Sequence, residues 1–581
     1  MDEKSTQKKG VAVMELAMEM ALTDDILDKI AAKHGPRMAC DAAMSTSVGG
    51  IGPLLRERVI AQAEKGVNVV GVSLLYETVW RQGLHNWNHL FLERRTVGDA
   101  IRSVLTDTGI TLTLALYDKT QVTVKVWKTA YGEAPVYFLD CPDIANVVYP
   151  CQEDSPEKTP DPTWWADQQR LKQSWLVGRG ALALAKTLNF KPDVIVLSET
   201  PTLFVHHRLI KDEFQKDPLF DGTRYIFNDH TPLEYAHPIW PIHTLRQLNM
   251  DPEIYSPFLA GSGDHAHVDI TRLLVATAEG VFGVAKKHGV VMRAMPSLKD
   301  YASKINSITN GVSEAIWQNK VFSFADKLSD ADLLAAKEKL KESFIGWLWR
   351  RAGLWPVWVR VARKKAFLLW TRRITSYKRL DILQRVLLDP QMRKRFLATD
   401  IVLIVGGRIY QRDNVSEKMV YGLVELLNED QELGDRIIFL DNYNVWEAPK
   451  LFHAADGAIM LADDGREASA TGFMKAQMNG GLIIANSDGA VPEFVHFLDQ
   501  SPADKTNGFG VSYVNGQPDP GSFMAALENF DAVYKNPNRR AAMMRSALVV
   551  TPQVSVRRTV DDTIAFYNQV IAGGRKVPAT K

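Results

Sequence analysis

The chain alternates short, continuous apolar runs with longer segments whose apolar residues recur every three or four positions. VNVVGVSLLY (67–76), PDVIVLSET (192–200), RYIFNDHTP (224–232), DIVLIVGG (400–407) and RIIFLDNYN (436–444) are runs of the first kind. Such runs suit strands of a parallel sheet, which is covered on both faces. PLLRERVIAQAEKG (53–66), WLVGRGALALAKTL (175–188), SDADLLAAKEKLKES (329–343) and the stretch from Ser522 to Ile571 have helical spacing. Residues 11–34 and HVDITRLLVATAEGVFGVAKKH (267–288) also read as helices, RMACDAAM (37–44) as a buried strand, and VTVKVWKTAYGEAPVYFLDC (122–141) as a hairpin turning at Gly132. The first half closes near 306–312, and β/α alternation then resumes after a charged helix. The fold class expected is α/β, with two doubly wound halves whose strand ends face a common cleft.

A length of 581 residues suits two large domains. Hydrophobic residues make up 46 %, charged residues 24 %, and the formal net charge is +1. No polyanion-binding surface is implied, so any phosphate site must be local. The three cysteines, Cys40, Cys141 and Cys151, form neither a disulfide framework nor a C-x-x-C pair, which suits a reducing compartment. The charged N-terminus does not read as a signal peptide. FIGWLWRRAGLWPVWVRVARKKAFLLW (344–370) is aromatic, but charges interrupt it too often for a spanning helix. It reads as a buried hairpin or strand approach. A soluble, cytoplasmic protein is the expectation.

Three segments carry candidate chemistry. In EASATGFMKAQMNGG (467–481), Lys475 sits among small and apolar residues in a short helix that leads to a strand. A lysine in a water-poor site has a lowered pKa and can form a Schiff base with an aldehyde. The preceding SATG turn adds the Ser469 and Thr471 hydroxyls and a helix start that favours an anion. Together they fit a pyridoxal phosphate pocket, against the bland reading of a lysine snorkelling to solvent. TRRITSYKR (371–379) gathers Arg372, Arg373, Lys378 and Arg379 around Tyr377 at a strand end, where Arg373 and Lys378 can converge on a dianion. STSVGGIG (45–52) brings Gly49 and Gly50 before a helix, a weak anion signal or a plain tight turn. His265 and His267, and the adjacent His206 and His207, read as surface or core histidines rather than metal ligands.

RRITSYKR, RIIFLDNYNV, APKLFHAADGAIM and EASATGFMKAQMNGGLIIANSDGAVPEF, in this order, resemble the C-terminal half of the glycogen (α-glucan) phosphorylases. Islands such as GGIGPL, HTPLE and ITNGVSEAIW extend the likeness into the first half, patchily over 40–320. The resemblance implies two Rossmann-like domains of glycosyltransferase type B, residues 1–311 with the glycine loop and 312–581 with the cofactor, the last helices packing back on the first domain. It implies a pyridoxal 5′-phosphate cofactor and reversible phosphorolysis of an α-1,4-glucan by inorganic phosphate to glucose 1-phosphate, with retention. Lys475 takes the position of the cofactor-binding lysine. Thr471, Gly472, Gly49 and Gly50 take those of cofactor-phosphate ligands, and Arg372, which stands where the family usually has a lysine, joins the cofactor-binding set. Arg373 and Lys378 match the pair that binds substrate phosphate. Tyr377, Tyr443, Glu467, Ser469, Ala470, His230 and Asn310 fall on positions around the sugar. Family analogy adds a homodimer, while the charge balance and the lack of a long apolar run lead to the expectation of no nucleic-acid or membrane partner. Departures are Phe473 for an asparagine, Asn444 for an arginine, Ala470 for a glycine, and LSETPT (197–202), which keeps only Glu199 as an acid. Two other readings stand beside this one: a retaining nucleotide-sugar glycosyltransferase, and a non-catalytic carbohydrate-binding scaffold. The former would need an acidic residue where Lys475 stands.

Overall fold

The computed structural model describes residues 10–573, apart from 86–88, 355, 410–412 and 503. Most of the charged N-terminal segment therefore lies outside the described residues. In chain order the first half contributes β1 (Ala12–Leu16), β2 (Asn68–Leu74), the hairpin β3 (Thr78–His85) and β4 (His89–Thr96), and the meander β5 (Thr106–Ala115), β6 (Gln121–Tyr131) and β7 (Ala134–Asp140). Then follow β8 (Val194–Ser198), β9 (Arg224–Asp229), a small ribbon of β10 (Ile239–Pro241) and β11 (His267–Asp269), β12 (Gly280–Gly283) and β13 (Ile305–Ser307). Nine of these form one sheet, ordered β13-β12-β9-β8-β1-β2-β7-β6-β5. It is parallel except for the β5–β6–β7 meander. The second half contributes β14 (Ala366–Thr371), β15 (Ile401–Gly406), β16 (Ile437–Leu440), β17 (Gly457–Met460), β18 (Leu482–Ala485) and β19 (Gly508–Gly510). These make a six-stranded, all-parallel sheet ordered β16-β15-β14-β17-β18-β19.

The burial pattern follows the pairing. Every residue of β8, β14 and β15 is buried, because helices cover both faces. In β5 exposed residues dominate, as an edge strand with one wet face requires. Strand order reverses between β1 and β8 in the first sheet and between β14 and β17 in the second. Such reversals open a crevice beyond the carboxyl ends of the strands. The two-domain glycosyltransferase type B architecture is thus present, with one doubly wound sheet per half.

Four local expectations are corrected. The segment 11–34 is not one helix: VAVMEL supplies β1, and the helix is Asp24–His34. A short apolar run does not reveal its period, and β1 is a central strand buried between β2 and β8. RMACDAAM belongs to a helix, Pro36–Ser45, with Pro36 in its first turn and small residues packed inward. The stretch 267–288 divides into β11, a helix Ile270–Thr277, β12 and the start of a helix Lys286–Ala294. Four-residue β12 was too short to show against the helical spacing around it. The aromatic stretch 344–370 is helical before β14: the helix Asp330–Ala352 ends at Gly353 in the left-handed conformation, and Pro356–Ala362 forms another. Phe344, Ile345 and Leu348 are its buried face.

The halves are laced together. Gln82 of β3 donates to the Gly407 carbonyl at 3.0 Å and accepts from the Ile409 N–H at 3.1 Å. Lys287 pairs with Asp464 at 2.6 Å and Asp488 at 3.1 Å. The last helix, Val556–Ala572, packs against the helix Ile51–Glu64 of the first half, where the Tyr567 hydroxyl donates to Glu15 at 3.0 Å.

Candidate active site

A cavity of about 440 Å³ lies where the strand ends of the two sheets meet. From the first half come Glu19 after β1, Glu199 after β8, His230 after β9 and Asn310 after β13. From the second come Arg372 and Arg373 after β14, Arg408 after β15, Tyr443 after β16, and the 467–475 segment after β17. Every site residue named from the sequence lines this one cavity: Gly49 and Gly50, His230 and Asn310, Arg372, Arg373, Tyr377 and Lys378, Tyr443, and Glu467, Ser469, Ala470, Thr471, Gly472 and Lys475.

Lys475 sits in the helix Gly472–Gln477. Its ammonium lies 3.6 Å from the centre of the Trp317 ring and 5.9 Å from that of Phe452. No salt bridge to it is present among the described residues. Burial lowers its pKa to about 8, a fall that Glu57 opposes and Arg56 assists. Glu57 is itself buried and accepts the Trp317 indole N–H and the Ser313 N–H, each at 2.6 Å. Position 472 is tightly packed: a Cβ there would sit 2.5 Å from the tip of the Met460 side chain, which would have to shift.

The basic cluster is held by one carboxylate. Lys378 donates to Glu467 at 2.7 and 3.0 Å, and Arg372 forms a second, very close pair with the same group. Burial opposes ionisation of Glu467, but Arg372 and Lys378 overcome it and hold the pKa at about 2. Arg373 is open to the cavity although protein surrounds its guanidinium. Burial works against its charge, yet Tyr377, Glu19 and Tyr149 keep its pKa above the ordinary value. Lys378 and Arg373 in turn lower that of Tyr377 against the effect of burial. Burial pushes Tyr443 up to about 12.

The glycine loop is more constrained than its sequence suggests. Glu19 accepts the Val48 N–H at 2.7 Å and the Gly49 N–H at 3.0 Å. The Gly49 amide is thus committed to a carboxylate, and it would reach a cofactor phosphate only by giving up that bond. A Cβ added at either Gly49 or Gly50 would meet nothing within 4 Å, so both face open space.

Sequence reasoning missed Glu19, Arg408 and Trp317. Glu19 is a single acid just beyond β1, and Arg408 follows the last glycine of DIVLIVGG. Both positions, just past a buried strand, were the available signal. Arg408 donates to the Trp80 carbonyl at 2.6 Å and the Met44 carbonyl at 3.3 Å. Burial lowers its pKa to about 10 despite Glu19 and Asp41. Two departures have packing or turn-closing roles, although Asn444 also lines the cavity. Phe473 is fully buried against Phe494, outside the cavity lining. Asn444 donates to Glu447 at 2.9 Å and accepts the Trp446 and Glu447 amides at 3.1 Å, closing a turn. Ala470 has φ +66°, a conformation that favours glycine. His265 lies just before β11 and His267 is its first residue, and His206 stacks on Tyr225 at 4.0 Å; none of these lines the cavity.

The residues present fit a phosphate-bearing aldehyde. Among the described residues the buried Ser469 hydroxyl has no hydrogen-bond partner, Gly49 and Gly50 leave room against their backbone, and an amine of depressed pKa lies within the same walls.

Residues 319–517 match the family model for carbohydrate phosphorylases, and residues 38–286 match that for the starch synthase catalytic domain. The chain is 23 % identical to a maltodextrin phosphorylase of Thermococcus litoralis, over 90 % of this chain and 69 % of that protein. It is 23 % identical to a glycogen phosphorylase of Mycobacterium tuberculosis, over 81 % of this chain and 61 % of the relative. It is 26 % identical to the muscle form of glycogen phosphorylase from Oryctolagus cuniculus, over 45 % and 38 % respectively. The chain therefore spans between 38 % and 69 % of the length of these relatives. The second half thus carries a partial match to the carbohydrate phosphorylases, the first a partial match to the starch synthase catalytic domain, and phosphorylases are among the relatives to which the chain is distantly similar.

Proposed function

We propose that the protein is a pyridoxal-phosphate-dependent α-glucan phosphorylase, moving a terminal α-1,4-linked glucosyl unit reversibly to inorganic phosphate with retention. The observation that supports this most is the convergence of a lysine of lowered pKa and the Arg372–Arg373–Lys378 cluster on one cavity between two sheets. Lys475 would hold the aldehyde end of the cofactor. Its phosphate would lie against Thr471, Gly472, Gly50 and Arg372, with Gly49 added if Glu19 releases it. The chemistry the bound cofactor supplies is a phosphate that exchanges a proton with the substrate phosphate. Arg373 offers a fork and Lys378 a point charge to that substrate phosphate. Held there, the phosphate stabilises positive charge as it develops at the sugar carbon. His230, Asn310, Tyr377, Tyr443, Glu467, Ser469 and Ala470 would surround the glucosyl unit. Trp317 and Phe452 shield the Lys475 amine from water.

Protein incubated with pyridoxal 5′-phosphate should gain a near-UV chromophore that borohydride fixes on Lys475, as read by peptide mapping. It should then release glucose 1-phosphate from maltodextrin only when phosphate is present. Lys378→Ala should keep the chromophore and lose phosphate saturation; normal turnover by that variant would contradict the role given to the basic cluster.

The starch synthase match over residues 38–286 favours a second reading, transfer from a nucleotide sugar on the same fold. Arg373 and Lys378 would then grip a diphosphate. A colourless protein that consumes a nucleoside diphosphate glucose would establish this reading instead.

A further inference from the structure

His230 enters the site as a wall of the sugar pocket, but its ring is held by a buried polar chain that ends on the last helix. Asn228, the penultimate residue of β9, is fully buried. Its Oδ1 accepts from Arg58 at 2.8 Å, and its Nδ2 donates to the Phe282 carbonyl at 3.3 Å. Arginine only donates and a carbonyl only accepts, so these two bonds fix which end of the amide is which. Arg58 is 2 % exposed and pairs with Glu15 at 2.5 Å. The other oxygen of Glu15 accepts from Gln62 at 2.7 Å and from Tyr567 at 3.0 Å. The Arg58 charge is therefore neutralised and its position set from three elements, the last of them 552 residues from Glu15.

The His230 Nε2 lies 2.9 Å from the same Asn228 Oδ1. That oxygen can only accept, so Nε2 must carry the hydrogen. Burial, Arg58 and His288 hold the pKa of His230 well below the ordinary value, so the ring is neutral. The other ionisable neighbours do not reverse this. Glu199 accepts the His230 backbone N–H at 2.8 Å rather than a ring nitrogen. Burial keeps the pKa of Glu199 raised, that of adjacent Asp229 further raised, and that of His288 down at about 3. Nδ1 is left with a lone pair, and among the described residues no group is hydrogen-bonded to it.

We infer that Arg58 and Asn228 are positioning residues that lock His230 as the Nε2–H tautomer, so that Nδ1 presents a fixed acceptor to a hydroxyl donated by the substrate. Only the identification of that hydroxyl as a carbohydrate's rests on the function proposed above. A substrate lacking the hydroxyl, or bearing a second acceptor there, leaves buried polar groups unpaired and is discriminated against.

Two-bond proton–nitrogen spectra of protein labelled at histidine nitrogen, with His230→Gln used only for assignment, test this without activity. The expected result is a protonated-type Nε2 and an unprotonated-type Nδ1, both unchanged between pH 5.5 and 8. A hydrogen on Nδ1, or a titration within that range, overturns the inference. Asn228→Asp places a carboxylate on the Nε2–H and should bring the His230 titration into range. With it, kcat/KM for maltodextrin should fall about tenfold at pH 6 and recover by pH 8. Spectra and profile superimposable on the wild type would also overturn it. Should this variant not fold, the wild-type spectra still decide. The expected spectra without any phosphorolysis would refute the functional reading alone.

Discussion

Replacing Lys475 by methionine should stabilise the cofactor-free protein. The amine is forced from the ordinary 10.5 to about 8, chiefly by burial. That fall converts to ~3 kcal/mol of cost to the folded state whenever the amine is charged. The Trp317 ring at 3.6 Å returns about 1 kcal/mol through its π-face. A net cost of ~2 kcal/mol remains at neutral pH, and methionine of similar length removes it. The sign follows from proton counting. Between pH 8 and 10.5 the unfolded chain binds more protons at this site than the folded one, so the wild type gains stability as pH rises through that window. The advantage of Lys475→Met should therefore be full at pH 7 and nearly gone at pH 10.5. Urea unfolding followed by tryptophan fluorescence, for both proteins across this range, measures it. A variant less stable than the wild type at pH 7, or a gap that ignores pH, would show that the amine is not held at a cost, and the argument for its reactivity would fail with it.

The remaining predictions concern the cavity walls. Glu467→Gln should lose ~3 kcal/mol at pH 7, because Arg372 and Lys378 are left facing a neutral group. The folded-state pKa of Glu467 is depressed to about 2, so the loss should shrink as pH falls below about 4.5, as acid unfolding curves would show. Ala470→Gly should raise stability by about 1 kcal/mol in thermal unfolding, since φ +66° strains any residue with a Cβ. Gly50→Ala should fold with an unchanged melting temperature, because its Cβ meets nothing within 4 Å, yet weaken pyridoxal phosphate retention in equilibrium dialysis.

The parallel strands were legible because burial on both faces writes them as unbroken apolar runs, and β8, β14 and β15 show this directly. Short elements were not. β1 and β12 have five and four residues, fewer than two helical turns, so no period can be read from them. The aromatic stretch 344–370 misled because tryptophan and phenylalanine suit strands by propensity, whereas here they cover a helix face by packing. For the site, strand-end motifs were readable since a cation or glycine just past an apolar run has few structural reasons to be there. Glu19 and Arg408 were equally placed but isolated, and only folding brings Glu19 to the Val48 and Gly49 amides. Asn228 and Arg58 carry no local signal at all, as they are 170 positions apart.

The chain as a whole is nearly neutral, at +1, but its cavity is not. Arg372, Arg373, Lys378, Arg408 and Lys475 line it against the carboxylates of Glu19, Glu199 and Glu467, and burial keeps the pKa of Glu199 raised. Leaving so many donors without acceptors in a closed space would cost several kcal/mol each. The fold avoids this by placing its own carboxylates where anions would bind: Glu467 between Arg372 and Lys378, and Glu19 on the glycine loop. An incoming phosphate must then compete with a tethered acid for the same donors, and its net binding energy is a difference between two strong interactions. Under the function proposed above, that balance would let a bound phosphate leave as readily as it enters, which a reversible transfer needs.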